Sequence, residues 1–169
     1  MQYTLDLDSI IESCSQVLEN SQDPVHRRYA LLVLTLSARF CDSEDDDLTE
    51  LINTTLEEDP DANVRRYAAW AIREIGYEKV EFKNLLKALK DKDWRVRLEA
   101  ADTLGLFVND GNNSEVVSAL LKALGDKHPV VRMHALQLIF NIENDDVLQH
   151  QINKIILYGG ADNNPTLIG

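Results

Sequence analysis

Four stretches of this chain can be laid over one another, and that self-similarity constrains its fold more than any single motif does. They read DPVHRRYALLVLTLSARF from Asp23, DANVRRYAAWAIREIGYE from Asp61, DWRVRLEAADTLGLFVND from Asp93 and HPVVRMHALQLIFNIEND from His128. Arg27, Arg65, Arg97 and Arg132 fall in register, with Ala30, Ala68, Ala100 and Ala135 three positions later. The arginines are spaced 38, 32 and 35 residues apart, a period that accommodates two helices and two short connections.

Counting from the arginine, apolar residues recur at −1, +3, +4, +7 and +10, which is one buried stripe of a helix. Val64, Ala68, Ala69, Ile72 and Ile75 make that stripe in the second segment; Val96, Ala100, Ala101, Leu104 and Phe107 make it in the third. His26 and Ser37 break it in the first. Asp23, Asp61 and Asp93 stand where an N-cap carboxylate accepts a free backbone N–H, and Pro24 and Pro129 occupy the first helical turn.

A second amphipathic helix precedes each segment, at Ser9–Asn20, Asp46–Glu57, Val80–Lys90 and Ser114–Leu124. The near-copies LLKALKDKD from Leu85 and LLKALGDKH from Leu120 fix the register. A last helix at about Asp146–Tyr158 is expected to close the open end, and residues 159–169 to form a mobile tail. The expected fold is all-α: a right-handed α-solenoid of about four helical hairpins, with repeats at about 8–41, 46–77, 80–109 and 114–144 and the closing helix at 146–158. Each hairpin has two apolar faces and cannot bury both alone, so successive hairpins stack.

The pattern LLKALKDKDWRVRLEAADTLG resembles HEAT repeats, and in particular the short HEAT-like repeats named after phycobiliprotein lyases. The resemblance spans roughly residues 8–158. It implies a scaffold or adaptor that binds another protein. Alternatives implied by the same resemblance are a lyase-like subunit acting on bilin-carrying proteins and an alkylpurine DNA glycosylase-like repair protein.

A formal net charge of −12 opposes the last of these and argues against nucleic acid or an anionic membrane as a partner, because both are gripped by Lys and Arg. The charge is banded. Phe40 to Val64 holds ten acidic residues and no base, whereas ten of the seventeen basic residues lie between Arg65 and Arg97. The run Ser43–Asp47 lacks EF-hand spacing.

Cys14 and Cys41 match no zinc spacing. Of His26, His128, His134 and His150, none forms the His-Glu dipeptide of the di-iron HEAT-like hydroxylases, and His128 and His134 lie six apart on one helix without sharing a face. No nucleophile with a base, phosphate loop or dinucleotide fingerprint is present. The expectation is a non-enzymatic chain without metal or cofactor. The lack of a signal-peptide pattern adds the expectation of a cytoplasmic location.

Two positional sets carry what remains. Six residues before each arginine stand Ser21, Asp59, Asp91 and Asp126, placed to cap a helix and pair with an arginine of the same or the adjacent repeat. Positions −2, +2, +5 and +9 of the second helices should line a concave groove, and they vary where the core does not. Tyr29, Leu32, Tyr67, Trp70, Glu99, Asp102 and His134 are the candidate partner-binding residues there, with Tyr67 and Trp70 as anchors.

Overall fold

The computed structural model describes residues 7–40, 46–75, 83–106 and 114–142. Among them are eight helices and no strand: α1 (Leu7–Asn20), α2 (Pro24–Phe40), α3 (Asp46–Glu58), α4 (Ala62–Ile75), α5 (Lys83–Ala88), α6 (Trp94–Leu106), α7 (Ser114–Ala123) and α8 (Pro129–Ile142). The expected closing helix at 146–158, the tail at 159–169, Cys41, His150 and the outer ends of the repeats fall outside the described residues.

The even-numbered helices start where their caps place them. Asp23 Oδ1 accepts the Val25 N–H at 2.8 Å, Asp61 Oδ1 those of Asn63 at 2.8 Å and Val64 at 3.2 Å, and Asp93 Oδ1 that of Arg95 at 2.9 Å. The odd-numbered helices α5 and α7 stop short of the expected ends at Lys90 and Leu124. Their last turns tighten into i→i−3 bonds, such as Lys90 N–H to Lys87 O at 2.9 Å and Leu124 N–H to Leu121 O at 3.2 Å.

Each odd helix packs on the even helix that follows it, and the even helices pack in series, α2 on α4, α4 on α6 and α6 on α8. This is a helical, solenoid-like stack. Its core is the repeating stripe: Ala30, Ala68, Ala100 and Ala135 at +3 and Leu34, Ile72, Leu104 and Ile139 at +7 are all buried. The small alanines let neighbouring helix axes approach closely. Between α4 and α6 the approach is tight enough for the buried Thr103 hydroxyl to donate to Ala69 O at 3.1 Å.

One stripe position departs from expectation. At +4, Leu31, Ala69 and Ala101 are fully buried, but Leu136 is 59% exposed. That position faces the next helix pair, and no described helix follows α8. Met133 and Phe140 are exposed on the same helix.

The arginine–aspartate pattern forms a ladder between adjacent repeats. Arg27 donates through Nε and Nη2 to Asp59 at 2.7 and 2.9 Å, Arg65 to Asp91 at 2.7 and 2.9 Å, and Arg97 to Asp126 at 2.6 and 2.7 Å. The third guanidinium nitrogen turns back to its own repeat, to the carbonyl oxygen six residues earlier: Ser21 at 2.8 Å, Asp59 at 2.7 Å and Asp91 at 2.9 Å. Each of the three aspartates also accepts the N–H two residues on, at 2.7–2.8 Å. Every rung therefore holds a helix start, its own repeat and its neighbour together. Ser21, the one non-acidic member, stands where no described arginine precedes it. Arg132 reaches the carbonyls of Asp126 and Lys127 and no carboxylate among the described residues.

Candidate partner-binding face

The candidate site lies on the row of even helices. Leu32 from α2, Arg66, Tyr67 and Trp70 from α4 and Glu99 from α6 line one cleft of about 330 Å³. Four of the seven residues singled out in the sequence thus share a cavity. Tyr29 is not part of its lining; it stands 62% exposed on α2, one turn before Leu32. Asp102 and His134 lie outside the lining as well, and bind each other across α6 and α8 at 2.9 Å.

Two clefts of about 310 and 420 Å³ lie elsewhere, the first by α1, α3 and the Arg27–Asp59 rung, the second between α5 and α7. The larger is lined by leucines, alanines and a glycine, with Lys90, Lys122, Glu115, Asp126 and Ser118, and contains no aromatic ring. Size does not decide between them; the aromatic rings, found in the lining of the Tyr67–Trp70 cleft and in neither of the other two, do.

Tyr67 and Trp70 meet edge to face, centroids 6.1 Å apart. Tyr67 and Trp70 are half-buried and pack on the hydrophobic core, so these rings form the floor of the groove as well as its surface. The open apolar surface belongs to α2, where Val25, Tyr29 and Leu36, the −2, +2 and +9 positions, are all exposed, with Val33 beside them.

Charges around the floor are unequally satisfied. Burial pushes the Glu99 carboxyl above its ordinary range, against the pull of Arg73. Arg73 lies 3.1 Å from Glu99 Oε1, yet that oxygen is buried and takes part in no hydrogen bond. Glu74 accepts Arg39 at 2.6 Å. Arg66 and Arg28 do not hold a carboxylate among the described residues. They sit instead against the Tyr67 ring, 5.4 and 5.6 Å from its centroid, within cation–π range.

Sequence reasoning missed both arginines. The signal was the doublet in Arg27-Arg28-Tyr29 and Arg65-Arg66-Tyr67: the first arginine of each belongs to the ladder, and the second was left without a role. It also placed His128 and His134 on one helix. His128 precedes Pro129, and its ring stacks on Trp94 with centroids 4.0 Å apart. Among the described residues, no three His, Cys, Asp or Glu side chains converge as a metal site would require.

Residues 82–150 match a family described as HEAT repeats. No curated protein matches the chain. The HEAT-repeat match covers α5 to α8, and the ladder carries the same register back through α4 and α2. Together they support a HEAT-like repeat protein. Among the described residues no helix is long and apolar enough to cross a membrane.

Proposed function

We propose that this HEAT-like chain is a non-catalytic protein-binding module that takes a segment of its partner on the face formed by α2, α4 and α6. The observation that carries this reading is the half-buried Tyr67–Trp70 floor bordered by the exposed apolar stripe of α2. A stripe of Val25, Tyr29 and Leu36 spans about three helical turns, or roughly 16 Å, which suits one amphipathic segment of a partner. HEAT repeats commonly serve as interaction scaffolds, in keeping with this use. The same reading includes a right-handed solenoid of about four hairpins closed by a helix at 146–158, with the protein acting in the cytoplasm. The bilin-lyase and glycosylase readings rest on repeat type alone.

Trp70→Ala tests the face. The indole is half-buried, so its loss should cost about 1–2 kcal/mol and lower the melting temperature by roughly 3–8 °C, with helix content kept. A photo-crosslinking residue placed at Tyr29 should capture partner protein from native extract far more efficiently than one placed at Ser118 on α7. Trp70→Ala should suppress that capture about tenfold or more. Equal capture from both faces, or capture indifferent to Trp70, would overturn the assignment.

A further inference from the structure

The partner's chemistry can be read from which charges at this face are already satisfied, an inference that rests on the docking face proposed above. Of the carboxylates there, Glu74 and Glu99 have Arg39 and Arg73 within 4 Å, and Asp102 shares a hydrogen bond with the His134 ring, while Glu99 Oε1 accepts none. Most arginines have a carboxylate nearby. Arg27, Arg39, Arg65, Arg73, Arg95 and Arg97 each lie within 4 Å of an aspartate or glutamate oxygen. The exceptions are Arg28, Arg66 and, on α8 away from this face, Arg132. In a chain with twelve more negative than positive charges, Arg28 and Arg66 form no ion pair within 4 Å among the described residues, although Arg66 lies near enough to pull on Glu99, and both flank the ring on the cleft floor.

A guanidinium resting against a ring has lost part of its rotamer freedom and keeps its in-plane N–H donors. It is therefore ready to fork a carboxylate with little further ordering. We infer that the occupant of this face is an amphipathic helical peptide whose apolar stripe packs on Val25, Tyr29, Leu36 and the Tyr67–Trp70 floor and whose flanking acidic side chains are clamped by Arg28 and Arg66. The overall negative charge does not forbid this. At physiological salt, exposed charges beyond about 8 Å are largely screened, so the net charge of the whole chain does not set the preference at this face.

The test uses the full chain and three capped 18-residue helical peptides that share one leucine stripe and differ only in flanking residues: glutamate, lysine or glutamine. Binding is measured in about 0.15 M salt. The glutamate peptide should bind at least tenfold tighter than the lysine peptide, with the glutamine peptide between. Arg28→Glu combined with Arg66→Glu should reverse that order, and Arg28→Gln with Arg66→Gln should flatten it, each with unchanged helix content. Trp70→Ala should weaken all three peptides. If the peptides bind without preference, or the lysine peptide binds best, while Trp70→Ala still weakens them, the acidic-partner inference falls and the docking face survives. Binding indifferent to Trp70, or no binding by any peptide, overturns the inference, and indifference to Trp70 removes the face with it.

Discussion

Arg65 and Asp91 show what one rung does. The two side chains are only 5% and 12% exposed, and Asp91 both receives two guanidinium bonds and accepts the Asp93 N–H. Removing it leaves a buried guanidinium without its countercharge and a helix start without its carboxylate. Asp91→Ala should therefore cost about 3 kcal/mol, whereas Lys92→Ala, at the exposed neighbouring position, should stay within about 0.5 kcal/mol. Urea midpoints that fail to separate the two variants would remove the ladder from the list of stabilising features.

Acid should attack the same places. The guanidinium of Arg95 bonds to Asp93 and, with the Arg95 N–H, holds its carboxyl down at about 2, below an ordinary value of 3.8. Arg97 lowers Asp126 in the same way; for Asp91, burial pushes upward, but the bonds from Arg65 and the Asp93 N–H prevail. A carboxyl depressed on folding contributes its full stability above the unfolded value and loses it as pH falls through the folded one. The expected result is an acid transition developing from about pH 4 toward pH 2, shallower in Asp93→Asn, as followed by circular dichroism. Glu99, raised by burial, works in the opposite direction above its ordinary value of 4.5, where the folded chain binds its proton more strongly than the unfolded chain does.

The helices were legible where one sequence signal had one physical meaning. Asp23, Asp61 and Asp93 cap as their positions require, and the −1, +3 and +7 residues of α4 and α6 are buried. Legibility failed where burial depends on a neighbour. Leu136 is the same residue as Leu31 at the same position, yet it is exposed and Leu31 is buried: α2 has α4 packed against it, whereas no described helix follows α8. Trp70 shows the converse: a position that holds Asp102 in the next helix also accepts an indole laid along the floor. The cleft itself depended on Arg66, which periodicity leaves indistinguishable from a solvated surface arginine.

Gly105 of α6 illustrates an element held close by what it lacks. A Cβ there would stand 2.6 Å from Leu138 Cδ2 of α8. The atom in the way is the end of a flexible, half-buried side chain that can turn aside, so the gain of about 1 kcal/mol in helix propensity is largely offset by Leu138 shifting, and Gly105→Ala should change stability by less than about 1 kcal/mol. Adding Leu138→Ala should cost less in the Gly105→Ala background than alone, and strict additivity in a double-mutant cycle would show that the two positions do not meet.

At the scale of the molecule, each rung is a transaction between unlike sides: one repeat extends a fork, the next offers a carboxylate, and the terms are the same at every junction. Such a joint works as an interchangeable coupling. Excision of residues 61–92 would place Asp59 six positions before Arg97, the offset it now keeps from Arg65, with Arg27 still reaching Asp59 and Arg97 still reaching Asp126. The shortened chain should fold cooperatively, with a smaller denaturant m-value in proportion to its length, and should lose the Tyr67–Trp70 floor altogether. Only aggregation or a non-cooperative melt would contradict it. A protein jointed in this way can gain, lose or exchange its recognition surface by whole-unit edits, since the coupling that holds it upright does not depend on what the units between two joints display.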